Sequence, residues 1–259
     1  MITDDFDYLA PGGRSYTTTS GMIAKLNKRS RVLELASGKG EAACTLASKF
    51  GCKIEAYDID PVVVEYSREK AKKLGLEDFI DFEVKDCRDL DFGTGFYDMI
   101  LAEGGALTYL GREDAVAHCA ELLKEGHCLA ITDLIYLREE IPETVRDAYE
   151  EGVFEYLTEI KYREMLERNG FEIAHLSMLP QSAWDRYYMG MRRKIINGKD
   201  RFTKEFRDSM MREIDVYYNM GGMFSVGYVY VVARLAKNKK VRPAADGMRI
   251  PLMYGGATR

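Results

Sequence analysis

Apolar residues in this chain gather into short runs separated by glycine and polar clusters, and longer stretches of helical spacing lie between them. Six runs read as strands: RVLELA (31–36), KIEAYDI (53–59), FIDFEVK (79–85), FYDMILA (96–102), CLAITDL (128–134) and FEIAHLSM (171–178). A seventh, SVGYVYVVARL, spans 225–235. At Gly51, Gly75, Gly126 and Gly170 the chain is expected to pass from helix to strand, glycine closing each last turn in the left-handed conformation without a Cβ clash. Asp60-Pro61 reads as a helix start, an acceptor followed by a residue that needs no backbone N–H. Strands alternating with helical stretches such as 112–124 and 158–169 predict crossover units and a mostly parallel, doubly wound α/β sheet.

Three segments fall outside the alternation. Residues 1–30 contain a Pro-Gly-Gly turn at 11–13 and a predicted helix at 17–27; residues 135–157 follow the fifth strand; residues 180–223 are helical and rich in Met and Tyr. The chain is therefore expected to be a single domain over 1–259. Its core is expected at 30–178 plus 224–235, with an N-terminal lid at 1–30, cap insertions at 135–157 and 180–223, and a tail at 236–259. Such insertions fall near the carboxyl ends of strands, where open α/β sheets bind ligands.

At 259 residues and 46% apolar composition the chain can bury a sizeable core, which excludes disorder. No apolar run is long enough to span a membrane, and the acidic start MITDDFDYLA does not look like a signal peptide. Five widely spaced cysteines without a CxxC pair suggest neither zinc nor disulfides and point to a reducing, cytoplasmic setting. The formal charge of −5 is uneven: residues 1–183 hold 21 Lys/Arg against 35 Asp/Glu, and residues 184–259 hold 16 against 7. That basic third would attract an anionic ligand or bridge to the acidic body.

The most informative segment is VLELASGKGEAA (32–43), a glycine-containing turn between a strand and a helix. Gly38-Lys39-Gly40-Glu41-Ala42-Ala43 satisfies the dinucleotide pattern GxGxxA, with Asp58 20 residues past Gly38, where a ribose-binding acid belongs. An S-adenosylmethionine site needs an acid inside the first strand, a small-residue loop, and an acid ending the second strand. Glu34, Ala36-Ser37-Gly38-Lys39-Gly40 and Asp58 supply all three. Glu34 separates the two readings. A carboxylate in a strand covered on both faces is costly unless it is paired. An anionic pyrophosphate gives it no partner, whereas the ammonium group of S-adenosylmethionine does.

Taken in order, VLELASGKG, YDIDP, KDCRDLDF, YDMILAEGG and LLKEGHCLAI resemble the class I S-adenosylmethionine-dependent methyltransferases over about residues 30–178 and the last strand. Pro11-Gly12-Gly13 and Trp184-Asp185-Arg186-Tyr187-Tyr188 look like the small-molecule, type 11/25-like branch of that family. The resemblance implies a Rossmann-like seven-stranded sheet of order 3-2-1-4-5-7-6 with strand 7 antiparallel, capped by the helical insertions. Ala36 departs from it, standing where the family loop usually begins with glycine.

S-adenosylmethionine is thus the expected cofactor and S-adenosylhomocysteine the product. Gly38 and Gly40, with Ala36 and Ser37, would carry the methionine and ribose portions; Asp58 would accept the ribose hydroxyls; Ile59 would lie on adenine, with Asp86 and Cys87 at its edge. Glu103 would line the methionine end or the substrate cavity, and Tyr16 would fold over the cofactor. Tyr109, Tyr136, Trp184, Tyr187 and Tyr188 are candidate substrate-pocket aromatics. Methyl transfer from a sulfonium gains most from alignment, so a base is needed only where the acceptor loses a proton. Glu103 and Asp133, both at strand ends, are the candidates. The expected acceptor is a small molecule, anionic or aromatic, with no membrane partner, no metal and no nucleic-acid module; the insertions would allow a homodimer. The competing functions are an NAD(P)-dependent oxidoreductase, resting on the Gly38–Ala43 spacing, and an RNA or protein methyltransferase using the basic third.

Overall fold

Period-2 burial along the central strands sets the architecture. Within β1 (Arg31–Leu35) and β4 (Tyr97–Ala102), Val32 and Met99 enter one apolar cluster while Leu33 and Ile100 enter another on the opposite face. Both faces are covered, so these strands are buried almost throughout, as is the later part of β5 (Leu123–Tyr136). Exposed positions appear in β3 (Ile80–Val84) and β6 (Phe171–Met178), at the two edges of the sheet.

A computed structural model of the chain describes residues 9–88, 94–149, 156–198 and 202–237. With β2 (Lys53–Asp58) and β7 (Val226–Leu235), the strands form one sheet of order β3-β2-β1-β4-β5-β7-β6. All neighbours are parallel except β7, which runs antiparallel to β5 and β6. This is the expected seven-stranded topology. Helices α2 (Glu41–Phe50) and α3 (Pro61–Leu74) bury Leu46 and Val64 on one face, and α5 (Arg112–Leu122) and α7 (Glu159–Arg168) bury Val116 and Leu166 on the other. A short α4 (Ala106–Leu110) follows β4, while α6 (Glu143–Tyr149), α8 (Gln181–Asn197) and α9 (Lys204–Asn219) occupy the two cap insertions.

Local signals account for most boundaries. Asp60 accepts the Val62 N–H at 2.8 Å and caps α3, with Pro61 in the first position. Gly51 and Gly75 close α2 and α3 at φ of 63° and 67°. Gly126 does not follow a helix as expected. Helix α5 ends at Leu122, and Gly126, at φ 77°, lies inside β5, where pairing with β4 jumps from Tyr97↔Leu123 to Met99↔Cys128. Positive φ serves there to pass an irregularity in the ladder. The first helix, α1, runs Arg14–Ile23 rather than 17–27, starting directly after Gly13. All five cysteines are free and buried, and no described helix is long and apolar enough to cross a membrane. Residues 1–8 of the expected lid, 89–92 of KDCRDLDF and 238–259 of the tail lie outside the described residues.

Candidate active site

A crevice of about 580 Å³ opens at the carboxyl ends of β1, β2, β4 and β5. Here the strand order reverses about β1, which pairs with β2 on one side and β4 on the other; crossovers leave in opposite directions and the crevice forms between them. The lining includes Tyr16, Glu34, Ala36, Ser37, Gly38, Asp58, Ile59, Asp86, Cys87, Glu103, Tyr109, Asp133, Trp184 and Tyr187. Sequence reasoning therefore gathered most of one site from segments far apart in the chain.

The loop after β1 is held from below. Asp58 accepts the Gly38 N–H at 2.8 Å through Oδ2 and the Asp60 N–H at 3.0 Å through Oδ1. Asp58 also lines the crevice, and each of its oxygens retains a lone pair. Ala36 sits at φ 51°, the left-handed region a glycine would occupy more cheaply. Gly40 is a correction: it is absent from the lining, and a Cβ on it would lie 2.6 Å from Phe82 Cζ and 2.9 Å from Ser67 Cβ. This glycine exists to let α2 start against α3 and β3, not to admit a ligand. At the far end Asp86 is paired with Arg88, whose hydrogen bonds hold its carboxyl below the usual range, and burial pushes the Cys87 thiol up to about 12. Ile59 is exposed at the crevice mouth.

Two carboxyl groups dominate the middle. Glu34 is 4% exposed, and its Oε2 has no hydrogen-bond partner. Burial first, and the nearby Glu103 charge second, hold its pKa well above the ordinary value. Ser37 Oγ, in the same lining, is also buried without a partner. Glu103, just beyond β4, is pushed by burial up to about 7, opposed by hydrogen bonds from Thr17 of α1. Buried orphans of this kind are rare, and these two leave hydrogen-bonding capacity open to a ligand. A cationic amino-acid group beside a hydroxyl-rich ribose fits this donor set, as S-adenosylmethionine requires.

The cap closes the other end. Trp184, Tyr187 and Met191 follow i, i+3, i+7 on α8, and Phe206, Met210 and Glu213 follow i, i+4, i+7 on α9, so each helix turns one face to the crevice. Two expected aromatics do not reach it. Tyr188, about 100° round the helix from Tyr187, is buried behind the wall, hydrogen-bonded to Tyr149 at 2.8 Å and Glu213 at 2.7 Å. Tyr136, at the end of β5, packs edge-on against Tyr156 in the core. Asp133 is fully buried under Thr108 (2.7 Å), Arg112 (2.9 Å), Tyr162 (3.1 Å) and the Leu134 N–H (2.9 Å). Four donors hold its carboxylate in place.

Comparison with known proteins bears on the chemistry. Residues 32–126 match the family model described as a methyltransferase domain. Sarcosine/dimethylglycine N-methyltransferase of Halorhodospira halochloris is 25% identical over 243 residues, covering 89% of this chain and 85% of that protein. These matches support a class I S-adenosylmethionine-dependent methyltransferase. Among solved structures, a methyltransferase from Thiobacillus denitrificans in complex with S-adenosyl-L-homocysteine superposes with a TM-score of 0.73 at 20% identity, covering 88% of this chain and 94% of that one. The [4+2]-cyclase SpnF superposes at 0.71 and 18% identity, covering 86% and 81%. At these identities the structural likeness speaks for the fold alone.

Several residues of this methyltransferase's crevice went unnoticed in the sequence. Thr17 lies on the predicted lid helix without any motif, and Tyr228 is one of several tyrosines in an alternating strand. Glu213 and Met210 carry a usable signal, since their spacing from Phe206 marks one helical face, but nothing local says what that face meets. Tyr149 and Tyr156 stand on either side of residues 150–155, in an insertion with no pattern of its own.

Proposed function

We propose that the crevice binds S-adenosylmethionine and that the enzyme methylates a small-molecule acceptor seated under the cap. The support is the orphaned Oε2 of Glu34, on a buried carboxyl group that a cofactor ammonium would complete and favour in its ionised form. Asp58 would accept the ribose hydroxyls, Gly38, Ala36 and Ser37 would carry the methionine and ribose portions, and Ile59, Asp86 and Cys87 would frame the adenine, with Tyr16 folded over it. Bound there, the cofactor supplies a methyl on a positively charged sulfur, already activated for in-line displacement by an acceptor lone pair.

The chain's own work is then alignment and exclusion of water, which the aromatic cap supports. Glu103 is the proposed proton acceptor where the nucleophile carries a proton, because its shifted pKa sits near neutral pH. Asp133 is assigned a positioning role, anchoring Thr108 and Arg112 beneath the loop that follows Glu103. The buried free thiols agree with a reducing, cytoplasmic setting. Calorimetric titration with S-adenosylhomocysteine and, separately, NADH tests the cofactor: the first is expected to bind and the second not. Binding of NADH alone would overturn the proposal. A small-molecule panel with methyl-labelled donor then reads transfer, which also separates a methyltransferase from a cyclase of the same fold.

A further inference from the structure

Strand pairing sets three carboxyl groups side by side. Glu34 of β1 pairs with Ala56 of β2 and with Leu101 of β4, and both partners join the apolar cluster on one face of the sheet. Two residues further along these neighbours stand Asp58 and Glu103. The period of two returns each to the face of Glu34, about 8 Å away at the backbone by strand spacing and rise. All three residues line the crevice.

Their surroundings differ. Asp58 accepts the Gly38 and Asp60 N–H groups, and Glu103 accepts the Thr17 hydroxyl. Glu34 keeps one oxygen without a hydrogen-bond partner while 4% exposed. The Ala43 N–H of α2 and the Lys70 ammonium of α3 favour its ionised form. Lys70, however, bonds Glu41 at 2.9 Å, a carboxyl group that also pairs with Arg14 of α1. The Cys44 thiol of α2, pushed by burial up to about 12, brings no charge. Burial, Glu103 and Asp58 all oppose ionisation, and together they prevail.

We propose that Glu34 holds a proton in the ligand-free protein and gives it up when the ammonium group of the cofactor docks, so that cofactor binding releases a proton to solvent. This rests on the S-adenosylmethionine reading of the same crevice. The step balances as a proton transfer alone. The O–H bond of the carboxyl group breaks, its electron pair stays on oxygen, and the proton passes to water. The ammonium N–H then donates to the oxygen that lacked a partner. Proton and ammonium compete for one carboxyl group, so affinity rises with pH until ligand-free Glu34 is itself ionised. Mild acidification therefore loosens both cofactor and product.

Calorimetric titration of S-adenosylhomocysteine into the full-length protein at pH 6.5, in buffers of different ionisation enthalpy, counts the protons released. About 0.5 proton or more per ligand is expected, and affinity should strengthen about 3-fold or more from pH 6 to pH 7. Glu34→Gln is expected to keep less than about half of that release, and Glu103→Gln more than about half. Titrating groups on the ligand are common to all three proteins and cancel in the comparison. Difference infrared spectra supply a second readout that needs no binding by the variant. The wild type should lose a protonated-carboxyl C=O band on adding S-adenosylhomocysteine, and ligand-free Glu34→Gln should lack that band. Binding without proton release, release that survives Glu34→Gln, release lost only with Glu103→Gln, or no such band in the wild type would each overturn the inference while the cofactor reading stands. Failure of the wild type to bind S-adenosylhomocysteine would overturn both.

Discussion

Thr17 donates its hydroxyl to the carboxyl group of Glu103, lying 3.0 Å from Oε1 and 2.9 Å from Oε2. The contact joins the N-terminal helix to the end of β4 across 86 residues of chain. Two further ties hold the helix in place: Arg14 pairs with Glu41 of α2, and Ser20 bonds the Tyr230 hydroxyl of β7 at 3.1 Å. The lid helix therefore does more than cover the crevice. Its Thr17 hydroxyl opposes the rise that burial imposes on the Glu103 pKa.

Removing that hydroxyl has a signed consequence. A hydrogen bond to the ionised form lowers a carboxyl pKa, so Thr17→Val should raise Glu103 above its value of about 7. The acidic limb of the kcat profile should move to higher pH, with a larger loss at pH 6.5 than at pH 8.5. A uniform loss at all pH values would show that Thr17 only supports the fold.

Stability of the ligand-free protein should also depend on Glu103. Its folded pKa, about 7, exceeds the ordinary value of 4.5, so the folded state binds more protons between those limits. This contribution is full below pH 4.5 and lost as pH rises through 7, on the order of 3 kcal/mol. Thermal melts from pH 5 to 8 should show Tm falling in the wild type and a flatter course in Glu103→Gln.

Glu34→Gln should separate stability from binding. A neutral amide removes the cost of burying a carboxyl group whose pKa burial raises, so the ligand-free variant should melt a few degrees higher, while S-adenosylhomocysteine affinity falls by about 10-fold or more. Loss of stability with unchanged affinity would mean that the carboxyl group serves the strand and not the ligand.

Gly40→Ala should do the reverse of Glu34→Gln. The new methyl meets Phe82 and Ser67 at 2.6 and 2.9 Å with φ at 68°, and we expect a loss of about 3 kcal/mol or more by urea titration. The comparison with Gly38→Ala, whose Cβ would lie 3.3 Å from the Leu9 side chain, tests which glycine faces the ligand. Gly38→Ala should retain more stability and lose more affinity.

Asp133→Asn removes the charge opposite the buried Arg112 guanidinium. An uncompensated buried charge costs about 3–5 kcal/mol, so the variant should unfold at markedly lower urea. A variant that keeps full stability and loses only turnover would restore Asp133 to the role of base.

The sheet was legible because its signals are local: period-2 runs, the Asp60-Pro61 start, and Gly51 and Gly75 at helix ends each depend on a few neighbouring residues. Glu34 and Asp58 were legible because a charge at a strand end contradicts its apolar surroundings and asks for a reason. Gly126 misled because the same positive φ serves a helix end and a strand irregularity alike, and only pairing with β4 distinguishes them.

By itself the sequence determined the strand set, the alternation that makes the sheet parallel, and the acids at the carboxyl ends, since these follow from backbone sterics and spacing along one chain. The tertiary structure alone decided which glycine faces the crevice, which tyrosines line it and which lie behind, and that Thr17 meets Glu103. Those are outcomes of packing between elements far apart in sequence, where a rotation of 100° about one helix axis moves a side chain from a pocket wall into the core.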